Sequence, residues 1–211
     1  MAIPQLEPHQ RTQETRRRVL EIAGYMKRDD GEDAAARPPI RNGPPAAGQA
    51  VDRFLALLQD RLPMWLRILD DLSNLVGKGN VNDNLLPIAR AGIEYYVDVH
   101  SAQLPAFTSP TVTVRFREAQ REAGLSPMSE IQPLADYIAA EQKAGRVRAD
   151  VAPVASARLL LAGCFRYAYE ELFAGPHVGT SHEDVAEEIV RELRLTPQIR
   201  VVDQGITDHL S

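Results

Sequence analysis

Tyr96 and His100 stand four residues apart, one turn of a helix, so a phenol and an imidazole can share one face and hold or pass a proton. Glu94 and Asp98 fall on another face of the same stretch. Tyr, His, Asp and Glu grouped in this way suit general acid–base work without a cofactor. Cys164 is the single cysteine, which excludes an internal disulfide and any multi-cysteine zinc site. It lies on the apolar stripe Val154, Ala157, Leu161, Cys164, Ala168 and Leu172, and a thiol without a nearby base in such a setting is a small buried hydrophobe rather than a nucleophile. His177 and His182 are five residues apart across a glycine-containing loop, a spacing that does not put two ligands on one helical turn. There is no Gly-rich phosphate loop, no Gly-x-Ser-x-Gly, no His-Glu-x-x-His and no Cys-x-x-Cys. No metal and no cofactor is therefore expected.

The elements that must position these residues are helices. From position 49 onward the apolar residues recur at helical spacing, without strand-like alternation or an internal repeat. The pattern predicts a first helix bearing Val51, Phe54, Leu55 and Leu58, and a second over 62–76 with Trp65, Ile68, Leu69, Leu72 and Leu75 inward. Trp65, the only tryptophan, reads as a core anchor. Asn80, with Asp83 three residues on, predicts the N-cap of a long helix over 81–104, which Pro87 should kink, leaving room beside it. Helices follow over 110–123, 127–144, 153–173 and 181–195, with Ser-Pro starts at 109–110 and 126–127 and glycine stops at Gly124 and Gly145. The helix over 153–173 is apolar around most of its girth, which places it at the centre or in an interface.

The first 48 residues differ in texture. One amphipathic helix over 12–27 is followed by a Pro-, Gly- and charge-rich linker over 29–48, and the domain proper spans 49–200 before a tail over 201–211. A formal charge of −5 argues against bulk electrostatic binding of nucleic acid. No segment approaches a membrane span of about 18 apolar residues, and the N-terminus lacks a basic region followed by an apolar one. The expectation is a cytoplasmic protein with no membrane partner.

The stretch Leu134-Ala-Asp-Tyr-Ile-Ala-Ala-Glu-Gln-Lys-Ala-Gly-Arg-Val-Arg-Ala-Asp150, then Pro153, then Ala157-Arg-Leu-Leu-Leu-Ala-Gly-Cys-Phe165, resembles the C-terminal domain of tetracycline-repressor-like (TetR-like) regulators. There an alanine-rich helix, a turn of the form Glu-Gln-x-x-Gly-Arg-hydrophobic-Arg-x-Asp and a central dimer helix follow one another. Leu75-Val-Gly-Lys-Gly-Asn-Val-Asn-Asp-Asn-Leu85 and Phe116-Arg-Glu-Ala-Gln-Arg-Glu-Ala-Gly124 are similar to further segments of the family, and the likeness covers about 51–195. Thr12-Gln-Glu-Thr-Arg-Arg-Arg-Val-Leu-Glu-Ile-Ala23 resembles the first helix of its DNA-binding domain. The likeness stops there, because Pro38, Pro39, Pro44 and Pro45 stand where the family's recognition helix would have to form a rigid reader of base edges.

The resemblance implies an all-α bundle of about seven to nine helices whose C-terminal pair, 153–173 and 181–195, forms a homodimer. It further implies a pocket for a small hydrophobic ligand, to which Tyr95, Tyr96, His100, Phe107, Phe116, Tyr137, Phe165 and Tyr167 are the candidate contributors. Arg16, Arg17 and Arg18 are the candidate phosphate contacts, although the balance of charge in the first 50 residues favours a solvated helix face. The leading expectation is thus a regulatory or sensor protein without a recognisable DNA-reading helix. One alternative is a cofactor-free enzyme acting on a hydrophobic metabolite in the same cavity. Another is a partner that sequesters a DNA-binding relative by heterodimerisation.

Overall fold

The computed structural model describes residues 8–28, 47–107, 110–175 and 179–197. Seven α-helices account for nearly all of them: α1 (Pro8–Arg28), α2 (Ala47–Asp71), α3 (Val81–Ala106), α4 (Pro110–Glu122), α5 (Met128–Lys143), α6 (Pro153–Ala174) and α7 (His182–Glu192). No strand occurs among the described residues. The expected linker is outside the described residues as far as position 46, and so are His177 and the 201–211 tail; Ala47 and Gly48 belong to the first turn of α2.

The helix expected to break near position 60 is continuous. α2 runs through Pro63 and ends in a short 3-10 turn, Leu72–Leu75. A proline inside a helix removes one hydrogen bond and costs about 3 kcal/mol. Here Phe54, Leu55, Leu58, Leu62, Trp65 and Leu69 are all buried on one stripe spanning the proline, and that packing offsets the loss and keeps the helix continuous. α3 likewise runs through Pro87, which is exposed, so the carbonyl it leaves unpaired is within reach of water. α7 stops three residues earlier than its apolar pattern, because Arg194 takes a left-handed φ of 49° and Leu195 turns to accept a hydrogen bond from the Arg148 N–H at 2.9 Å.

The helix ends follow local chemistry. Asn80 caps α3 by accepting from the Asn82 and Asp83 N–H groups at 2.8 and 3.4 Å, and Ser181 forms a reciprocal capping box with Asp184 at the start of α7. Gly124 and Gly145 adopt φ of 66° and 73° just past α4 and α5, the left-handed conformation that lets the chain leave a helix.

α3 is the central element, packed between α2, α6 and α7; α5 covers α6, and α1 packs on α2 and α4. α1 buries Val19, Ile22 and Met26 in the common core. At Gly92 the three central helices approach closely: a side-chain carbon there would sit 3.2 Å from Trp65 Cη2 and 3.5 Å from Cys164 Sγ. No helix among the described residues is long and apolar enough to cross a membrane.

Candidate functional site

Around that crossing the buried stripe of α3 delivers Tyr95, Tyr96 and His100 between Trp65 of α2 and Phe165 of α6. Tyr95 stacks on Trp65 with centroids 5.5 Å apart and planes at 17°, and Tyr96 meets the same indole edge-on at 6.4 Å. Tyr96 stacks on His100 at 5.7 Å, as their four-residue spacing dictates. Phe165 closes the cluster, edge-on to His100 at 4.2 Å and to Tyr96 at 5.6 Å. It is the one exposed ring of the five, at 46%.

Glu130, in the first turn of α5, brings a carboxyl into this apolar setting. The Tyr96 hydroxyl donates to its Oε2 at 2.5 Å. Burial pushes the Glu130 carboxyl above its ordinary range, an effect opposed by the Tyr96 O–H and by the indole N–H of Trp65 beside it. Burial also raises the Tyr95 and Tyr96 phenols, with the Glu130 charge adding to both, and lowers His100. The buried Trp65 Nε1–H points to Glu130 from outside full hydrogen-bond geometry, and His100 Nδ1 is buried without a partner. Buried polar atoms are paired in the great majority of cases; Asn82 Oδ1 and Glu141 Oε2 elsewhere in the fold share the property, so what distinguishes this cluster is the unpaired His100 Nδ1 together with a pKa-shifted carboxyl among aromatic rings.

Cys164 adjoins the cluster but has another part to play. Its Sγ–H donates to the Ala89 carbonyl at 3.3 Å, and burial pushes the thiol up to about 12, so no nucleophilic thiolate forms near neutral pH.

The eight expected pocket residues divide. Tyr95, Tyr96, His100 and Phe165 come together. Phe107 and Phe116 join Phe54 in a separate edge-to-face trio, with centroids 5.0–5.3 Å apart, where α2, α3 and α4 meet. Tyr137 lies at the opposite end of α3, its hydroxyl accepting from Asn84 Nδ2 at 2.9 Å. Tyr167 faces α7 and packs edge-on to His182 at 5.8 Å. Asn84 and Phe107 are 23 residues apart on one helix, about 35 Å at 1.5 Å per residue, a span no single small-molecule cavity covers. Glu130 escaped sequence reasoning because an acidic residue in a first helical turn reads as a partner of the helix dipole. Its spacing held the signal: Glu130, Leu134, Tyr137 and Glu141 form one stripe of α5, and the last three are buried.

Two grooves open on the surface, and only the first is lined by residues of the cluster, Trp65 and Tyr95. One, of about 410 Å³, lies between α2, α3 and the start of α7; Trp65 and Tyr95 form its floor, with Arg61, Glu94 and Asp98 among its polar lining. The other, of about 500 Å³, lies between α1, α2 and α5 and includes Arg11, Asp70, Ser73, Gln132 and Tyr137. Among the described residues no group of three or more His, Cys, Asp or Glu is arranged to hold a metal ion.

On α1, Arg16 and Arg17 are exposed, Arg17 lies 3.8 Å from Glu21, and Arg18 is paired with Glu14 at 2.5 Å. The Glu-Gln-x-x-Gly-Arg turn is a structural latch. Glu141 Oε1 accepts the Gly77 N–H at 3.0 Å, its Oε2 lies 2.9 Å from Arg146 Nε, and Gln142 Nε2 donates to the carbonyls of Arg148, Ala149 and Val151.

Compared with protein-family models, with curated proteins and with solved structures, the chain matches none.

Proposed function

We propose that this protein is a TetR-like sensor that binds a small hydrophobic ligand at the Trp65–Tyr95–Tyr96–His100–Phe165 cluster. The observation that carries the reading is the aromatic cluster with its placed polar groups: the partly buried Glu130 carboxyl held by the Tyr96 hydroxyl and the buried, unpartnered His100 Nδ1. Ligand sites combine an apolar wall with a few placed polar groups. Phe165, 46% exposed and packed edge-on to His100 and Tyr96, forms the solvent-facing side of the cluster. The helix order and the glycine turn of the resembled family agree with this placement but leave the ligand open.

The same reading makes a second copy of the chain the partner. α6 turns Leu159, Tyr169 and Phe173 outward, together with Arg158 and Arg166. α7 keeps Val185, Ala186 and Val190 for its own core and shows Glu187 and Glu188 outside. An apolar face on α6, with Arg158 exposed and Arg166 paired to Glu170 at 2.7 Å, beside an acidic face on α7 suits a two-fold arrangement in which α6 of each copy meets α7 of the other. DNA is not assigned as a partner, since Arg11, Arg17 and Arg18 of α1 carry acidic neighbours at Asp70, Glu21 and Glu14.

Trp65 makes the test direct, because the only tryptophan of the chain sits in the proposed site. Titration with a panel of one- and two-ring aromatic compounds, followed by tryptophan emission, should find ligands with Kd below about 100 μM, and Tyr96→Ala should weaken them. Calorimetry and emission that stay flat across the panel overturn the proposal. Glu130 and His100, shifted in opposite directions within one cluster, also support a second reading as a cofactor-free acid–base enzyme. Conversion of a bound ligand on prolonged incubation selects it.

A further inference from the structure

The charged groups of the groove floored by Trp65 and Tyr95 answer one another. Arg61 pairs with Asp98 at 2.9 Å and Glu94 with Arg90 at 3.2 Å, so this lining offers an ionic ligand no unmatched charge. The walls are apolar, with Met64, Ile68 and Val97 around the stacked pair of rings. His182, the first residue of α7, completes the lining and differs from the other polar groups there. Its Nε2 lies 2.9 Å from Glu171 Oε2 of α6. A carboxylate only accepts, so in the neutral ring Nε2 carries the proton and Nδ1 keeps its lone pair, an acceptor without a hydrogen bond among the described residues. Glu171, only 14% exposed, sets that tautomer, and Tyr167, edge-on to the imidazole at 5.8 Å with planes at 88°, restrains its plane. An acceptor fixed in direction beside an aromatic floor matches a hydroxyl carried on a ring.

We infer that this groove takes a neutral aromatic ligand bearing a hydroxyl group, a phenol-like compound whose ring lies over Trp65 and Tyr95 and whose O–H donates to His182 Nδ1. This rests on the aromatic cluster being a ligand site, as proposed above, and names the class of ligand and the side from which it binds. The volume of about 410 Å³ holds one or two rings. Glu171 is a positioning residue: it touches His182 rather than the ligand, and acts by keeping the ring proton on Nε2. An ether of the same size brings oxygen lone pairs against the Nδ1 lone pair and forfeits the hydrogen bond, so the pair selects a donor over an acceptor.

The isomers para-ethylphenol and para-methylanisole share a ring and an atomic composition, and only the first has an O–H. Titrated by calorimetry into the full-length protein, para-ethylphenol should bind about fivefold more tightly. His182→Phe, which keeps a ring in the groove, should weaken para-ethylphenol by about the same factor and leave para-methylanisole within about twofold. Ring-nitrogen NMR with isotope-labelled histidine should show the His182 proton on Nε2 and an Nδ1 resonance that moves on adding para-ethylphenol. Glu171→Gln, whose amide can hold either tautomer, should populate both and lose part of the preference, a change that a mere tie between α6 and α7 does not produce. Equal affinity for the two isomers in the parent protein overturns the His182 assignment and leaves the cluster standing as a ligand site. No heat and no change in Trp65 emission with either isomer overturns both. Should His182→Phe not fold by circular dichroism, the isomer pair and the NMR of the parent protein decide: a proton on Nδ1, or an Nδ1 resonance unmoved by para-ethylphenol, overturns the assignment.

Discussion

Replacing Glu141 tests whether the Glu-Gln-x-x-Gly-Arg turn is a latch or a site. Its side chain is wholly shut off from solvent, holding the Gly77 N–H with one oxygen and Arg146 with the other. Arg146 in turn donates to the carbonyls of Lys78 and Gly79, so one carboxylate ties the end of α5 to the turn that launches α3. Removing one member of a buried ion pair costs about 3–5 kcal/mol when the other is left without compensation. Arg146 keeps two carbonyl partners and is 26% exposed, which puts Glu141→Ala at the lower end, about 3 kcal/mol. Glu141→Gln keeps an acceptor for Gly77 and loses only the charge, about 1–2 kcal/mol. For a chain of this size each kcal/mol lowers Tm by about 2–4 °C, so calorimetry should show a fall of about 6–12 °C for alanine and roughly half that for glutamine. The Trp65 emission maximum should not move in either variant, because the latch lies at the far end of α3 from the aromatic cluster. An alanine variant within about 0.5 kcal/mol of the parent, or one that keeps its Tm but changes Trp65 emission or ligand affinity, refutes the latch.

Gly92→Ala drives a methyl to 3.2 Å from Trp65 Cη2 and 3.5 Å from Cys164 Sγ; a stability loss of about 1–3 kcal/mol with a shifted tryptophan emission is expected, and an unchanged spectrum contradicts the close crossing. Cys164, raised to about 12 and buried, should resist a thiol reagent at pH 8 in the native protein and react fully once unfolded in guanidinium; fast native labelling sinks its assignment as core. Burial lowers His100, so its neutral ring contributes stability that is complete above its ordinary value of 6.5 and is lost as pH falls below it. Glu130 is raised, and its contribution is complete below its ordinary 4.5 and lost as pH rises through the folded value. Urea midpoints across pH 4–8 should therefore lose their acid-side decline in His100→Phe and gain on the alkaline side in Glu130→Gln; curves parallel to the parent in both remove the linkage. Leu159→Glu combined with Phe173→Glu should give a monomer in sedimentation if α6 carries the interface, and an unaltered oligomeric state argues for another surface.

The helices were legible in the sequence through their apolar stripes, and most sharply where a cap residue marks an end. Asn80, Gly124 and Gly145 mark boundaries that recur in the fold, since the residue type and the backbone conformation are locked together there. The expected break between 58 and 62 is absent: the chain runs as one helix through Pro63, held by Leu62, Trp65 and Leu69 packing on both sides of it, and that packing exists only in three dimensions. The site was half legible. Tyr96 with His100 follows from a four-residue spacing on one helix, but their meeting with Trp65 and Phe165 depends on the close approach that Gly92 allows, which a single glycine in a helix does not declare. Phe107, Phe116, Tyr137 and Tyr167 have the same composition as the cluster yet lie beyond its reach, because aromatic content carries no information about distance along a helix of 26 residues. Glu130 shows where a sharper rule lies. Its four-residue offset from Leu134 and seven-residue offset from Tyr137 put it in the buried phase of α5, where Glu141 also stands. A charged residue in the apolar phase of a helix has to be answered by a partner. Glu141 is answered within the chain by Arg146, whereas Glu130, only partly buried, is answered by the Tyr96 hydroxyl, a contact between α3 and α5 that no spacing within one helix announces.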